Sequence, residues 1–293
     1  MTVLADAPTK PAASSFSATP LKDAFGSLIS GVDAAHADAD TMAKVVNAFE
    51  TTGAIVLRDQ KMKPEDLKRF LRHFGELEGH TLQQFTLPGH PEIYLLSNIE
   101  KDGKPIGAHN DGVGWHTDYS YKDKPVKCTM LYGVQVPAEG SDTLFADCCA
   151  AYDALPEDKR EALEGLKLHH SYKYFMETRE HGAMKLSPEI EAANPDVIHP
   201  LIRTHPANGR KALWPSTGTV IDVIGMEKEA GLKMLDELVE FVTQERFVHR
   251  HKWHVGDLVL WDNRCTLHTG TLFDDKKYKR LMHRMWAKGD KPY

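Results

Sequence analysis

The sequence predicts a mostly β protein whose core is wrapped by flanking α-helices. Three observations predict it. Short apolar or alternating runs of strand length recur along the chain, helix-period apolar faces occur singly between them, and neither an internal repeat nor a shift in composition marks off a second domain.

Taken in order, the stretch from about Ala5 to Pro20 is rich in Ala, Ser, Thr and Pro and carries little that could be buried. Residues 1–20 are therefore expected to form a flexible leader, with one domain over 21–293. Thr41–Phe49 has a helical pattern, and Gly53 releases the chain into the apolar strand Ala54–Arg58. Leu67, Phe70, Leu71 and Phe74 fall at i, i+3, i+4 and i+7, one helix face, with Pro64 in the first turn and Gly75 at the end. Ile93–Leu96 is a short strand, and Lys127–Val136 alternates around Cys128, Met130, Tyr132 and Val134. Ala150–Glu164 is expected to be a helix punctuated by Pro156 and Gly165, and Ala230–Thr243 carries the clearest helical face. Phe247–Trp253 alternates, and Asp257–Trp261 is a further apolar strand.

Composition narrows the function classes. The 293 residues hold 36 basic and 42 acidic side chains, a formal charge of −6, which argues against a nucleic-acid binder. No apolar run approaches the ~20 residues that span a bilayer, and the mean hydropathy is −0.43. The first ten residues lack a basic start followed by an apolar core, so the cytoplasm is the expected compartment. The four cysteines, Cys128, Cys148, Cys149 and Cys265, include no CxxC pair, which excludes a structural zinc knuckle and a disulfide framework.

The chemistry lies in the histidines. Three His-x-Asp triplets occur, His36–Asp38, His109–Asp111 and His116–Asp118, where about one is expected by chance. The first lies in an Ala/Asp-rich loop and the second in the Gly-rich link between Gly107 and Gly114. The third sits between Trp115 and the β-favouring Tyr119-Ser120-Tyr121. On a strand, i and i+2 point to one face, so His116 and Asp118 would converge on one ion. A third donor is expected from His268, at the exit of the apolar strand Asp257–Trp261. Two imidazoles and a carboxylate on one face of an octahedron leave three open positions, an arrangement suited to Fe(II) and O₂. The run His249–His254 is expected to be a solvated strand face, with His249 and His251 on one side and Arg250 and Lys252 on the other. His169-His170 is expected at a strand end, and Cys148-Cys149 as small buried apolar residues.

Trp115-His116-Thr117-Asp118 resembles the metal motif of the TauD/TfdA family of Fe(II)/2-oxoglutarate-dependent dioxygenases. So do Pro137–Thr143, Trp261–His268 and Lys279–Arg284, in family order, within a likeness running from Leu21 to Pro292. Ala151–Pro156 and His254–Val259 look like the 2,4-dichlorophenoxyacetate branch; Met282-His283-Arg284 and Gly289–Pro292 look like the taurine branch. The resemblance implies a double-stranded β-helix (jelly roll) core. It implies His116, Asp118 and His268 as iron ligands, with Arg280 and the Thr143 hydroxyl holding the distal carboxylate of 2-oxoglutarate. A guanidinium suits that carboxylate because it offers a planar pair of donors. The loop before Arg280 is one residue longer than in the taurine branch, and Arg280 rather than Lys279 is preferred because Leu281–Arg284 follows it.

The implied reaction is hydroxylation of a small anionic substrate, a carboxylate or sulfonate, with O₂ as oxidant and succinate and CO₂ released. Halogenating relatives lack the carboxylate ligand, which Asp118 supplies here. The family likeness places Arg284 on the substrate anion and His80 in the pocket, with Tyr119, Trp214 and Phe175 as candidate walls. Gly112 and Gln83 stand where the taurine branch has asparagine and tyrosine, which argues against taurine itself. Two rival readings are a jelly-roll metal enzyme that does not use 2-oxoglutarate and a non-catalytic jelly-roll binding protein. Neither needs a dicarboxylate clamp. Self-association is common in the family, so a homo-oligomer is a further expectation, with no interface marked in the sequence.

Overall fold

The computed structural model describes residues 15–80, 83–109, 112–179 and 183–293. Strand β1 (Ser17–Lys22) pairs antiparallel with β2 (Phe25–Ser30), so the end of the expected leader is a strand instead. Its hydrogen bonds come from backbone, which Ala, Ser and Thr supply as well as any residue, and composition hid it. Residues 1–14 of that leader lie outside the described residues.

Helix α1 (Ala39–Thr52) starts where the Asp38 carboxylate accepts from the Thr41 N–H and stops at Gly53, whose φ of 77° is open to glycine. Strand β3 (Ala54–Leu57) follows, then α2 (Pro64–Arg72) with proline in its first turn. Next come β4 (His90–Ser97), β5 (Cys128–Gln135) and β6 (Thr143–Asp147). The expected helix over Ala150–Glu164 is two helices, α3 (Cys148–Asp153) and α4 (Glu157–Leu163). Pro156 divides them because it lacks an N–H and disfavours helical geometry in the residue before it. After α5 (Lys228–Val242), the chain closes with β7 (Val248–His251), β8 (Leu258–Asp262), β9 (Thr266–Gly270) and β10 (Leu281–Ala287). Shorter pieces are given below by residue range.

The larger sheet runs β1-β2-β3-β8-β5-β10-β4, extended by Thr86–Leu87 beside β4 and Leu77–Glu78 beside β10. Its register sorts the side chains by face. Leu258, Leu260, Cys128, Met130, Met285 and Leu95 pack with Phe49 of α1 and Leu67, Phe70 and Leu71 of α2. On the opposite face, Trp261, Thr129 and Trp286 form one cross-strand row, and Val259, Leu131, Arg284 and Tyr94 the next. This second face looks onto a three-stranded sheet, β7-β6-β9, and Phe145 of that sheet reaches Trp261 at 5.2 Å between ring centroids. The two facing sheets are the jelly roll, and the site lies between them.

The face expected to be solvated on β7 is partly turned inward. His251 is buried and sits 3.1 Å from Asp257, whereas Arg250 stays exposed. Cys148 and Cys149 are buried and His170 ends its strand, as expected. Among the described residues no helix is long and apolar enough to cross a membrane.

Burial pushes His170 down to about 3, with His199 and His169 adding to it. Burial also lowers His283 to about 4, helped by His90. Both rings are neutral when folded, so the unfolded chain binds more protons once pH drops below ~6.5. Stability should be at its plateau above that value and be lost on acidification toward about 4. The expected slope is up to ~1.4 kcal/mol per pH unit for each ring. Urea unfolding at stepped pH, in the presence of a metal chelator, measures this.

Candidate metal centre

Strand β9 carries His268 in its middle, not at the exit of the preceding apolar strand. The chain turns tightly through Asn263 and Arg264 after β8, and His268 comes up on the face looking into the roll. Opposite it, His116 is held by two backbone hydrogen bonds, its N–H to the His268 carbonyl at 3.0 Å and the reverse at 2.8 Å. His116 is thus a one-residue extension of the smaller sheet, and the expected strand through Tyr121 does not form. The chain turns at Asp118, and Tyr119 takes a φ of +57°. Asp118 therefore reaches the site through a turn instead of through strand alternation.

The three side chains meet. Nε2 of His116 lies 3.6 Å from one Asp118 oxygen, and Nε2 of His268 lies 3.7 Å from the other. One donor atom from each falls within 4.8 Å of the others. The His116 Nδ1 is 2.7 Å from the Gly114 carbonyl, which can only accept, so Nδ1 donates there and Nε2 is the nitrogen turned toward Asp118. The Nε2 of His268 is buried and has no hydrogen-bond partner. Burial, reinforced by His116, holds the His268 ring well below the usual histidine range, hence neutral. Burial opposes the charge on Asp118, but Arg284 and the two imidazoles outweigh it and keep the carboxyl well below the usual carboxylate range. Two imidazole nitrogens and one carboxylate, with the buried His268 Nε2 lacking a hydrogen-bond partner, fit a ferrous ion.

Sequence reasoning missed Thr129, Trp286 and Asn263 as supports of Asp118 and gave Arg284 only a substrate role. Thr129 donates its hydroxyl proton to one Asp118 oxygen, the Trp286 indole N–H donates to the same oxygen at 3.3 Å, and Arg284 binds the other. Each carboxylate oxygen has two lone pairs, so these contacts leave room for an ion. Asn263, fully buried, donates from Nδ2 to Thr129 Oγ1 at 2.9 Å and accepts the Asp118 N–H at 3.3 Å. Only its place beside the Trp261-Asp262 pair could have flagged it.

The other expected site residues divide. Thr143 faces Gly270 across the β6–β9 pair, and Phe145 faces His268, so Thr143 shares the His268 face two residues along. Arg280 immediately precedes β10, and its N–H donates to Asn98 Oδ1 at 2.9 Å. His80 stacks on Tyr94 at 3.9 Å, with Trp286 at 5.3 Å and Tyr119 at 6.3 Å, an aromatic group beside Arg284. Trp214 is no pocket wall. It is fully buried behind the site, with its N–H on the Asn263 carbonyl and the Arg203 guanidinium over its ring. The competing triplets go elsewhere: Asp38 caps α1, His109 lies 3.1 Å from Asp275, and Asp111 is outside the described residues.

A second group that could in principle take a metal, His205, Asp262 and Cys265, is already neutralised. Arg264 binds both Asp262 oxygens and also reaches Glu50, so a cation occupies that carboxylate.

A family model described as taurine catabolism dioxygenase TauD, TfdA family matches residues 17–286. The chain belongs to the TauD/TfdA family. Within it, the chain is 36% identical to the alpha-ketoglutarate-dependent 2,4-dichlorophenoxyacetate dioxygenase of Cupriavidus pinatubonensis, over 90% of this chain and 95% of that protein. It is 32% identical to the (S)-phenoxypropionate/alpha-ketoglutarate-dioxygenase of Sphingobium herbicidovorans, over 94% and 96%. The crystal structure of AAD-2 in complex with Mn(II) and N-oxalylglycine superposes with a TM-score of 0.81 at 29% identity, covering 95% of this chain and 99% of that one. The TauD/TfdA assignment accords with the jelly roll and with the cluster between its sheets.

The ligand assignment has a direct test. Asp118→Ala should abolish Fe(II) binding in anaerobic equilibrium dialysis, and Thr129→Val should weaken it ~10–100-fold by releasing the carboxylate. His36→Ala and His109→Ala should bind iron as the parent protein does.

Proposed function

We propose that this TauD/TfdA protein is an Fe(II)/2-oxoglutarate-dependent dioxygenase that hydroxylates a small organic anion, an aryloxyalkanoic acid in particular. The observation that carries this is the convergence of His116, Asp118 and His268 on one buried point, with Thr143 on the same strand face. An iron ion held there, with 2-oxoglutarate and O₂, supplies the oxidising power, releasing succinate and CO₂ as hydroxyl is placed on a substrate carbon.

The chain's own residues bind and orient. His116 and His268 would hold the iron through their Nε2 atoms and Asp118 through its carboxylate, a donor set suited to an ion that also takes co-substrate and oxygen. Arg280 and Thr143 would hold the distal carboxylate of 2-oxoglutarate. Arg284, buried, paired with Asp118 and stacked over Trp286 at 4.9 Å, is the cation we assign to the substrate anion. The His80, Tyr94, Trp286 and Tyr119 rings favour a substrate with an aromatic body, the class named for the relatives from Cupriavidus and Sphingobium. Hydroxylation at the carbon next to an ether oxygen gives a hemiacetal, which collapses to a phenol and a carbonyl acid. A cytoplasmic setting belongs to the same proposal, supported by four cysteines that carry no disulfide.

Anaerobic protein mixed with Fe(II) and 2-oxoglutarate should develop a weak visible charge-transfer band; its absence would overturn the reading. Succinate release should be stimulated by phenoxyacetates more than by alkyl sulfonates. Arg280→Ala should weaken 2-oxoglutarate binding by the ~1.5–3 kcal/mol of a charge-assisted bond. Arg284→Ala should instead raise the KM of the prime substrate, with some loss of Fe(II) affinity because Arg284 also pairs with Asp118, and a variant that loses 2-oxoglutarate affinity while keeping the substrate KM would reverse the two arginine roles.

A further inference from the structure

We propose that Trp253 is a positioning residue for 2-oxoglutarate, fixing the Thr143 hydroxyl so that its proton is delivered to the distal carboxylate. The inference rests on the role given to Thr143 above. The Trp253 indole N–H donates to Thr143 Oγ1 at 3.0 Å, and both residues are buried. An indole nitrogen can only donate, so Thr143 is the acceptor and its own proton must go elsewhere. Among the described residues, no hydrogen bond uses that proton. A hydroxyl so fixed is matched by a group that only accepts, and an ionised carboxylate is such a group.

The molecule contains the completed form of this device on the facing sheet. Asn263 Nδ2 donates to Thr129 Oγ1, and the Thr129 hydroxyl then donates to the Asp118 carboxylate. In both places a donor-only N–H occupies one lone pair of a buried threonine. At Thr129 the receiving carboxylate belongs to the protein; at Thr143 it is that of the co-substrate.

Trp253 is itself held from three sides. His251 meets its ring edge-on at 4.6 Å between centroids and lies 3.1 Å from Asp257 Oδ2. The same Asp257 oxygen accepts the His254 N–H at 2.8 Å and pairs with Arg58, which staples the turn after Trp253. Beneath the turn is Gly133, where a Cβ would stand 2.9 Å from the His254 carbonyl oxygen. Gly133 pairs with Met282 on β10, two residues past Arg280, so the turn and the arginine lie toward one end of the roll.

The test titrates the anaerobic Fe(II) protein with 2-oxoglutarate and with 2-oxobutyrate, a keto acid lacking the distal carboxylate, following the charge-transfer band. Trp253→Phe should weaken 2-oxoglutarate about fivefold, the worth of one neutral hydrogen bond, and leave 2-oxobutyrate unchanged. The double variant W253F/T143V should bind 2-oxoglutarate no more weakly than Thr143→Val alone. Thr143→Ser, which keeps the hydroxyl, should retain the parent affinity. Unchanged 2-oxoglutarate affinity in W253F, equal loss for both keto acids, additive losses in the double variant, or a Thr143→Ser protein as weak as Thr143→Val would each overturn the inference. A parent protein that gives a band with neither acid would overturn the dioxygenase reading, and this inference with it.

Discussion

The pair of backbone hydrogen bonds between His116 and His268 is the constraint on which the site depends. It joins a loop to the edge strand of the smaller sheet, and an antiparallel pair of this kind sets the His116 and His268 side chains on the same side. A loop residue on its own would be free to turn its ring away. Paired to β9, it inherits the rigidity of a strand braced by β6 behind it. The third donor needs no strand, because the Asn263 amide and the Thr129 hydroxyl hold Asp118 from the far side.

Polar side chains are also buried at the β8–β9 turn beside the site, and their pairing explains how they persist. Buried Asp262, Arg264 and His205 join half-buried Glu50 in one polar group at the β8–β9 turn. Burial opposes the charge of Asp262, but Arg264 and His205 more than offset it and lower its carboxyl. Removing one partner from such a group typically costs ~3–5 kcal/mol, since it strands a charge away from water. The ionic group clamps the turn that places Asn263, and through Asn263 it reaches Asp118. Stability and site geometry are therefore carried by the same bonds.

The convergence of His116, Asp118 and His268 was legible because their residue types are few and the family-like segments flank them. The helices over Ala39–Thr52 and Pro64–Arg72 were legible because apolar spacing, capping and proline agreed. What misled was local inference at points where long-range pairing decides. β1 has no apolar stripe to announce it, His116 lies in a bridge of one residue, and His251 was expected to face water but is buried beside Trp253 and Asp257. Trp214 looked like a pocket aromatic and is a core residue, since nothing in its neighbourhood along the chain tells which side of the sheet it meets.

The sequence by itself determined the donor types, the β-rich class and the family, because each depends on residue chemistry or periodicity that a linear string preserves. Only the tertiary structure decided that Thr129, Trp286 and Asn263 support Asp118, and that Trp253 meets Thr143. Those contacts join residues 110 to 168 positions apart, or neighbours brought together by a turn, and hydrogen bonding requires ångström proximity that no spacing rule encodes.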